Sequence, residues 1–335
     1  MSGSLATRLA KRIERDGPMP FAEYMALNNA AYYAGRDPFG RGGDFITAPE
    51  ISQMFGEIVG LWCVDAWERL GRPAVVRLVE LGPGRGVLMA DALRAARLQP
   101  AFRPEVHLVE TSPALRSLQR THGFDAVWHD RVETVPGGPT IWIANEFFDA
   151  LPVRQFLRVN GCWHERLVDR DGSGFRFVAG PALRRAGSGE DGDMAEVSPA
   201  ATGMAATLAA RSGYGIAIDY GYVEPPRQPT VQAVSAHAPV DQLSRPGEAD
   251  LSAHVDFAAL ARAGREAGAA VWGPVPQGDW LKRLGIEARA AQLGGQEAAL
   301  ARLTGGDAMG RLFRVLAFGP AGAAAPAGFL DGEGG

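Results

Sequence analysis

Two cysteines in 335 residues, Cys63 and Cys162, lie outside any metal-ligand spacing and are too few for a disulfide framework. Two reduced thiols of a cytosolic protein are expected instead. No apolar run approaches the ~18 residues that cross a bilayer, so membrane insertion is not expected. The stretch from Met1 to Asp16 carries four basic side chains beside Glu14 and Asp16 and has no apolar core. It reads as a plain first helix rather than a secretory or transit leader. Positive charge is not in excess: Lys and Arg number 34 against 38 Asp and Glu, a formal net charge of −4. No basic face stands out, so nucleic acid is not expected as a partner. His107, His129 and the two cysteines are scattered, and no metal site is expected. These absences point to the cytoplasm, with the mitochondrial matrix as second choice.

What is present is ordinary globular composition, 46% hydrophobic and 21% charged. The 43 glycines and 23 prolines follow no period, which argues for many loops rather than a fibre. Through the centre, Val75–Leu81, Val106–Glu110, Phe124–Trp128, Thr140–Asn145 and Tyr214–Asp219 predict strands. Arg85–Leu98 and the stretch after Ser112-Pro113 predict the helices between them. Such alternation predicts an α/β fold, a mostly parallel sheet with right-handed crossovers and helices on both faces. After Pro152, short stretches joined by Asn160-Gly161 and Asp171-Gly172 predict antiparallel hairpins.

The expected organisation is a helical cap over 1–72 and a core over 73–221 with an antiparallel insertion near 153–180. A helical lid over 222–305, a final core strand over 306–318 and a disordered Gly/Ala/Pro tail over 319–335 follow. Thr47-Ala48-Pro49-Glu50 reads as a capping box opening the last helix of the cap.

The strongest motif is Glu80-Leu81-Gly82-Pro83-Gly84-Arg85-Gly86, between an apolar strand and a helix. Glycines there let the backbone turn sharply and let a ligand approach where a Cβ would collide. The dinucleotide fingerprint is G-x-G-x-x-G, with a helix N-terminus aimed at pyrophosphate. This spacing is G-x-G-x-G, and a carboxylate stands two residues before the first glycine. Glu80 would repel a pyrophosphate and suits a cationic ammonium, as in the first motif of class I (Rossmann-like) methyltransferases. A structural turn without ligand is the alternative. Glu110 ends the second strand, where a carboxylate can accept both ribose hydroxyls, although a solvent-facing Glu would look the same. Asp130 follows the third strand, placed to meet an adenine amino group. Together the three acids fall at the carboxyl ends of successive strands, where open α/β sheets bind ligands.

The strand ending at Asn145 delivers Asn145 and Glu146 to the same sheet edge, with Asp149 one helical turn later. Two carboxylates there would orient a guanidinium or amine; a helix N-cap is the alternative for Asp149. Asp44, Thr47, Asp219, Tyr220 and His254 are outer substrate candidates. For His254 the alternative is a helix-entry hydrogen bond, and for Tyr220 plain packing.

The segments Gly43 to Glu57, Val79 to Gly86, Leu108 to Pro113, Ala144 to Phe156, Asp219 to Gly221, Asp250 to Phe257 and Met309 to Val315 resemble, in order, the MidA-like methyltransferases. The resemblance runs from about Phe21 to Phe318. It implies a class I methyltransferase fold with inserted helical and antiparallel segments, and S-adenosyl-L-methionine as cofactor. It also implies protein-arginine activity, since mitochondrial members symmetrically dimethylate an arginine of a complex I subunit during assembly. Cofactor roles then carry onto Glu80, Gly82, Gly84, Gly86, Glu110 and Asp130, with Asn145 beside them. Glu146 and Asp149 are left as the catalytic pair, and the implied partner is a protein, an unassembled complex I subunit. The rivals are a non-catalytic assembly factor and a methyltransferase of a small molecule or RNA. A nicotinamide oxidoreductase is disfavoured by the glycine spacing.

Overall fold

The structure, a computed structural model, describes residues 4–34, 47–183, 189–235, 238–330 and 332. In chain order its first elements are α1 (Leu5–Asp16), α2 (Phe21–Ala34), α3 (Gln53–Arg69), β1 (Arg77–Leu81), α4 (Val87–Ala96), β2 (Glu105–Val109), α5 (Pro113–Arg120), β3 (Val127–His129) and β4 (Thr140–Asn145). There follow β5 (Arg154–Val159), β6 (Cys162–Asp171), β7 (Gly174–Leu183), β8 (Met194–Val197), α6 (Pro199–Ala209) and β9 (Gly213–Tyr222). The last are β10 (Gln232–Ser235), β11 (Asp250–Ser252), α7 (Phe257–Glu266), β12 (Ala270–Pro276), α8 (Gln277–Arg283) and β13 (Phe313–Gly319).

Among the described residues the central sheet runs β12-β13-β9-β4-β1-β2-β3. The five strands from β9 to β3 are parallel, and β13 runs antiparallel between β9 and β12. A dinucleotide-binding sheet is ordered 3-2-1-4-5-6; the antiparallel strand wedged near one edge sets this sheet apart.

The period of two along each strand assigns side chains to the two faces. Ile141 and Ile143 of β4, with Ile216 and Ile218 of β9, enter the core shared with α3 and α4. Trp142, Ala144 and Ala217 enter the opposite core, under α6 and α7. Neither face is polar, which is why these strands read as unbroken apolar runs. Gly215 leaves room for the Trp142 ring, with which a Cβ would collide.

The segment 1–72 does not form one cap. Leu9, Ile13, Phe21, Tyr24 and Met25 of α1 and α2 share a core with the antiparallel sheet, whereas α3 lies on the central sheet. The insertion reaches beyond residue 180, because β8 pairs with β5, and Met19–Pro20 adds a strand beside β6.

Segment 222–305 is not a helical lid either. β10 and β11 pair with each other, α7 packs on α6, and β12 is an edge strand of the central sheet. Gly273-Pro274 falls at the register shift between Trp272 and Val275. That interruption hides the alternation of β12 in the sequence.

The tail is anchored as far as Phe329. Phe329 is buried in the same core as Trp280, Ala327 N donates to Asp65 Oδ2 at 2.9 Å, and the Tyr214 hydroxyl donates to Ala324 O at 3.2 Å. Burying one Phe side chain is worth about 1.5–3 kcal/mol, enough to hold a segment whose composition looks disordered. The capping box at Thr47 does not form. Its side chain makes no cap bond, the short helical turn Ala48–Ile51 ends at an extended Ser52, and Ser52 Oγ accepts from Met54 N at 3.3 Å to start α3. Among the described residues no helix is long and apolar enough to cross a membrane.

Candidate cofactor and acceptor site

The turn between β1 and α4 places Gly82, Gly84 and Gly86 at φ of 61°, 53° and 85°, a region that strains any side chain. Gly82 and Gly84 line two adjoining openings at the carboxyl edge of the sheet. One is a narrow pocket of about 40 Å³ bordered by Glu50, Glu80, Asn145 and Glu146. The other is a cleft of about 790 Å³, within the range of small-molecule sites. The cleft runs past Glu110 and Asp130 in one direction and Asp149 and Tyr220 in the other. Thr47, Gly82, Gly84 and Glu146 belong to both walls. Gly86 belongs to neither. It abuts α5, where an added Cβ would come within 3.1 Å of Gln119 Cγ.

Glu80 is 2% exposed, and its Oε2 has no hydrogen-bond partner. Burial, reinforced by the nearby Glu110 carboxylate, pushes it up to about 8. Asn145 Oδ1, also buried, has no partner either, while its amide donates to Glu146 Oε1 at 3.3 Å. Leaving a buried polar group unpaired costs about 1–3 kcal/mol. Two such acceptors beside one narrow pocket fit a cationic donor such as an ammonium.

Glu110 is buried, which raises it, and Oε1 accepts from Ser112 N at 2.7 Å. Asp130 stands exposed at the rim, ion-paired with Arg116 at 2.7 Å. Sequence reasoning missed Gln119. This fully buried side chain donates to Gly84 O at 2.7 Å and accepts from Trp128 Nε1 at 2.7 Å, tying the glycine turn to the end of the sheet. The available signal was an amide one helical turn after Leu115, on the buried side of α5.

Glu146 has φ of 48°, rare for a residue with a side chain. Asp219 holds it there. Asp219 Oδ2 accepts from the amides of Phe147, Phe148 and Asp149 at 3.1, 3.0 and 3.2 Å, and Oδ1 accepts from Tyr220 N at 3.0 Å. Asp219 is fully buried and off the cleft wall, so it pins the turn rather than meeting a substrate.

Ala48 N donates to Glu146 Oε1 at 3.0 Å, yet burial, aided by Asp149, pushes Glu146 up to about 7. Asp149 lies in this turn and not on a helix, so it caps nothing. Its Oδ2 accepts from the Tyr220 hydroxyl at 2.7 Å, its Oδ1 has no partner, and burial raises it to about 6. His254 packs edge-on against the Tyr220 ring at 5.4 Å on the cleft wall. The entry of α7 is capped by Asp256 Oδ1, which accepts from Ala259 N at 2.9 Å, and not by His254. Asp44 lies outside the described residues.

A mostly parallel sheet with one antiparallel strand near its edge, and a glycine turn flanked by buried carboxylates, define a class I S-adenosylmethionine-dependent methyltransferase. The chain belongs to the family described as "Putative S-adenosyl-L-methionine-dependent methyltransferase", whose model matches residues 58–275. It is 39% identical to "Protein arginine methyltransferase NDUFAF7 homolog, mitochondrial" of Drosophila melanogaster, over 87% of this chain and 77% of that protein. It is 36% identical to "Protein arginine methyltransferase NDUFAF7, mitochondrial" of Homo sapiens, over 84% of this chain and 73% of that protein. A superfamily member from Burkholderia thailandensis, solved bound to S-adenosyl-homocysteine, is 29% identical. Its TM-score is 0.86, covering 97% of this chain and 94% of that one. The cofactor is S-adenosyl-L-methionine, which supplies an activated methyl group.

Proposed function

We propose that this protein methylates an arginine side chain of a protein substrate, an unassembled respiratory complex I subunit, by symmetric dimethylation. The observation that carries the reading is the pair Glu146 and Asp149 on the cleft wall beside the glycine turn, with Asp149 Oδ1 lacking a partner. A guanidinium, with an unperturbed pKa of ~12.5 or more, is met by carboxylates that hold it and localise its lone pair. Methyl displacement further asks for alignment and exclusion of water. In this reading Glu80 and Asn145 receive the cofactor's ammonium, Glu110 its ribose and Asp130 its adenine edge, while Gly82 and Gly84 permit close approach. Glu146, poised near neutrality, takes up the proton shed by the methylated nitrogen at its carboxylate. The names of the relatives support the choice of arginine. The compartment proposed is the cytoplasm, with the mitochondrion, for which those relatives are named, as the alternative. Incubating the protein with methyl-labelled cofactor and the purified subunit should label one arginine, and Arg→Lys there should remove the label. Label found only on RNA or small metabolites overturns the substrate and leaves the methyltransferase class standing.

A further inference from the structure

Gly86 borders neither opening, and α5 approaches it closely because it has no side chain. A Cβ there would come within 3.1 Å of Gln119 Cγ and 3.4 Å of Gln119 Cα. This approach brings the Gln119 amide, fully buried, between the glycine turn and the residue that follows β2. Its Nε2 donates to Gly84 O at 2.7 Å and reaches Glu110 Oε2 at 3.5 Å. Its Oε1 accepts from Trp128 Nε1 of β3 at 2.7 Å. An indole N–H only donates, and a primary amide carries two hydrogens on nitrogen and none on oxygen. The three partners therefore admit one orientation. Turning the amide over would set its nitrogen against the indole N–H, and its oxygen against a carbonyl and a carboxylate. Trp128 is itself held, since the Arg120 guanidinium lies over its ring at 4.3 Å from the centroid. Ser112 N holds Glu110 Oε1 at 2.7 Å, and Gln119 is directed at the other oxygen. Burial raises Glu110, and the bond from Gln119 opposes that rise, so the amide also favours the ionised carboxylate. Gly84 and Glu110 line the large cleft, whereas Gln119 stands behind them.

We propose that Gln119, locked by Trp128, is a positioning residue that turns Glu110 toward the cofactor's ribose and sets its distance from the glycine turn. This rests on the assignment of Glu110 to the ribose made above and adds the group that enforces it. A carboxylate set by its neighbours beforehand accepts ribose hydroxyls without a further loss of freedom on binding. Gln119 acts through Glu110 and does not touch the reacting atoms.

Calorimetry compares S-adenosyl-homocysteine with its 2′,3′-dideoxy analogue on the full chain. The wild type should prefer the ribose form roughly tenfold or more, the scale of a hydrogen bond to a charged group. Gln119→Met keeps the apolar stem and removes the amide. It should erase most of that preference while affinity for the dideoxy analogue stays within a few-fold, which reports an intact fold and turn. Trp128→Phe frees the amide to turn and should lower the preference a few-fold; it replaces Gln119→Met should that variant fail to fold. A role in packing alone would weaken both ligands equally. If the substitution used does that or changes nothing, while Glu110→Gln erases the preference, this inference fails and the ribose assignment survives. If the wild type shows no preference, or Glu110→Gln keeps it, both fail.

Discussion

The two ends of the cleft are built differently. At the cofactor end proposed above, Glu80 lies near the end of β1, Gly82 and Gly84 follow directly in the turn after it, and Glu110 directly follows β2. Covalent neighbourhood and the parallel register of β1 with β2 bring them together. At the acceptor end, Tyr33 and Asp250 are 217 positions apart, and Tyr220 is 71 from Asp149. There the arrangement depends on tertiary hydrogen bonds through Asn28, Asn29 and Asp219. In the reading proposed above, the core fold alone positions the cofactor, whereas the acceptor end draws on core residues and added segments together. Substitutions at the two ends should separate cofactor affinity from acceptor turnover.

The largest separation is expected at Gly84. Its φ of 53° disfavours a β-branched residue, and its position on both walls puts a valine in the ligand's path. Gly84→Val should abolish S-adenosyl-homocysteine binding by calorimetry at a strain cost of about 1–3 kcal/mol in stability. Unchanged affinity would mean that the glycine turn has only a structural role.

Glu146 tests the seam, since it borders both openings. Glu146→Gln keeps an acceptor for Ala48 N and removes the negative charge. Transfer should fall by ~10²-fold or more, the scale for one positioned electrostatic group, with cofactor affinity held within a few-fold. Should cofactor affinity collapse instead, Glu146 belongs to the cofactor end and the division drawn above moves past it.

The same asymmetry decided what the sequence disclosed. The parallel strands announce themselves because both faces are buried, and the glycine turn is legible because its parts are adjacent. β12 was hidden because Gly273-Pro274 breaks its alternation at the register shift. The tail was misjudged because its composition outweighed the single anchor Phe329. Asp219 looked like a substrate ligand, since nothing local announces that four backbone amides will consume its oxygens. Asp250 stands in a segment with family resemblance, yet its hydroxyl donor, Tyr33, comes from a helix more than two hundred residues earlier. The adjacent amides Asn28 and Asn29 on the buried side of α2 were the overlooked signal. Buried side-chain amides need partners, and these find theirs on the backbone around Asp250.

The smallest effect expected is a pH dependence confined to the cofactor end. Glu80 sits at about 8 in the free protein because burial and the Glu110 charge oppose its ionisation. At pH 7 it is therefore mostly protonated, whereas an ammonium ligand favours the carboxylate and lowers its pKa in the complex. Affinity should be full well above pH 8 and decline as pH falls, by roughly fivefold between 8 and 7. Close to one proton should leave the protein on binding at pH 7. Calorimetry of S-adenosyl-homocysteine in two buffers of different ionisation heat reads both quantities. Glu80→Gln should flatten the profile and abolish the proton release. Glu110→Gln should keep the slope but move its midpoint down, because one of the two causes of the raised value is gone. A flat wild-type profile between pH 7 and 8 would detach Glu80 from the ammonium and reassign its unpaired Oε2 to another donor.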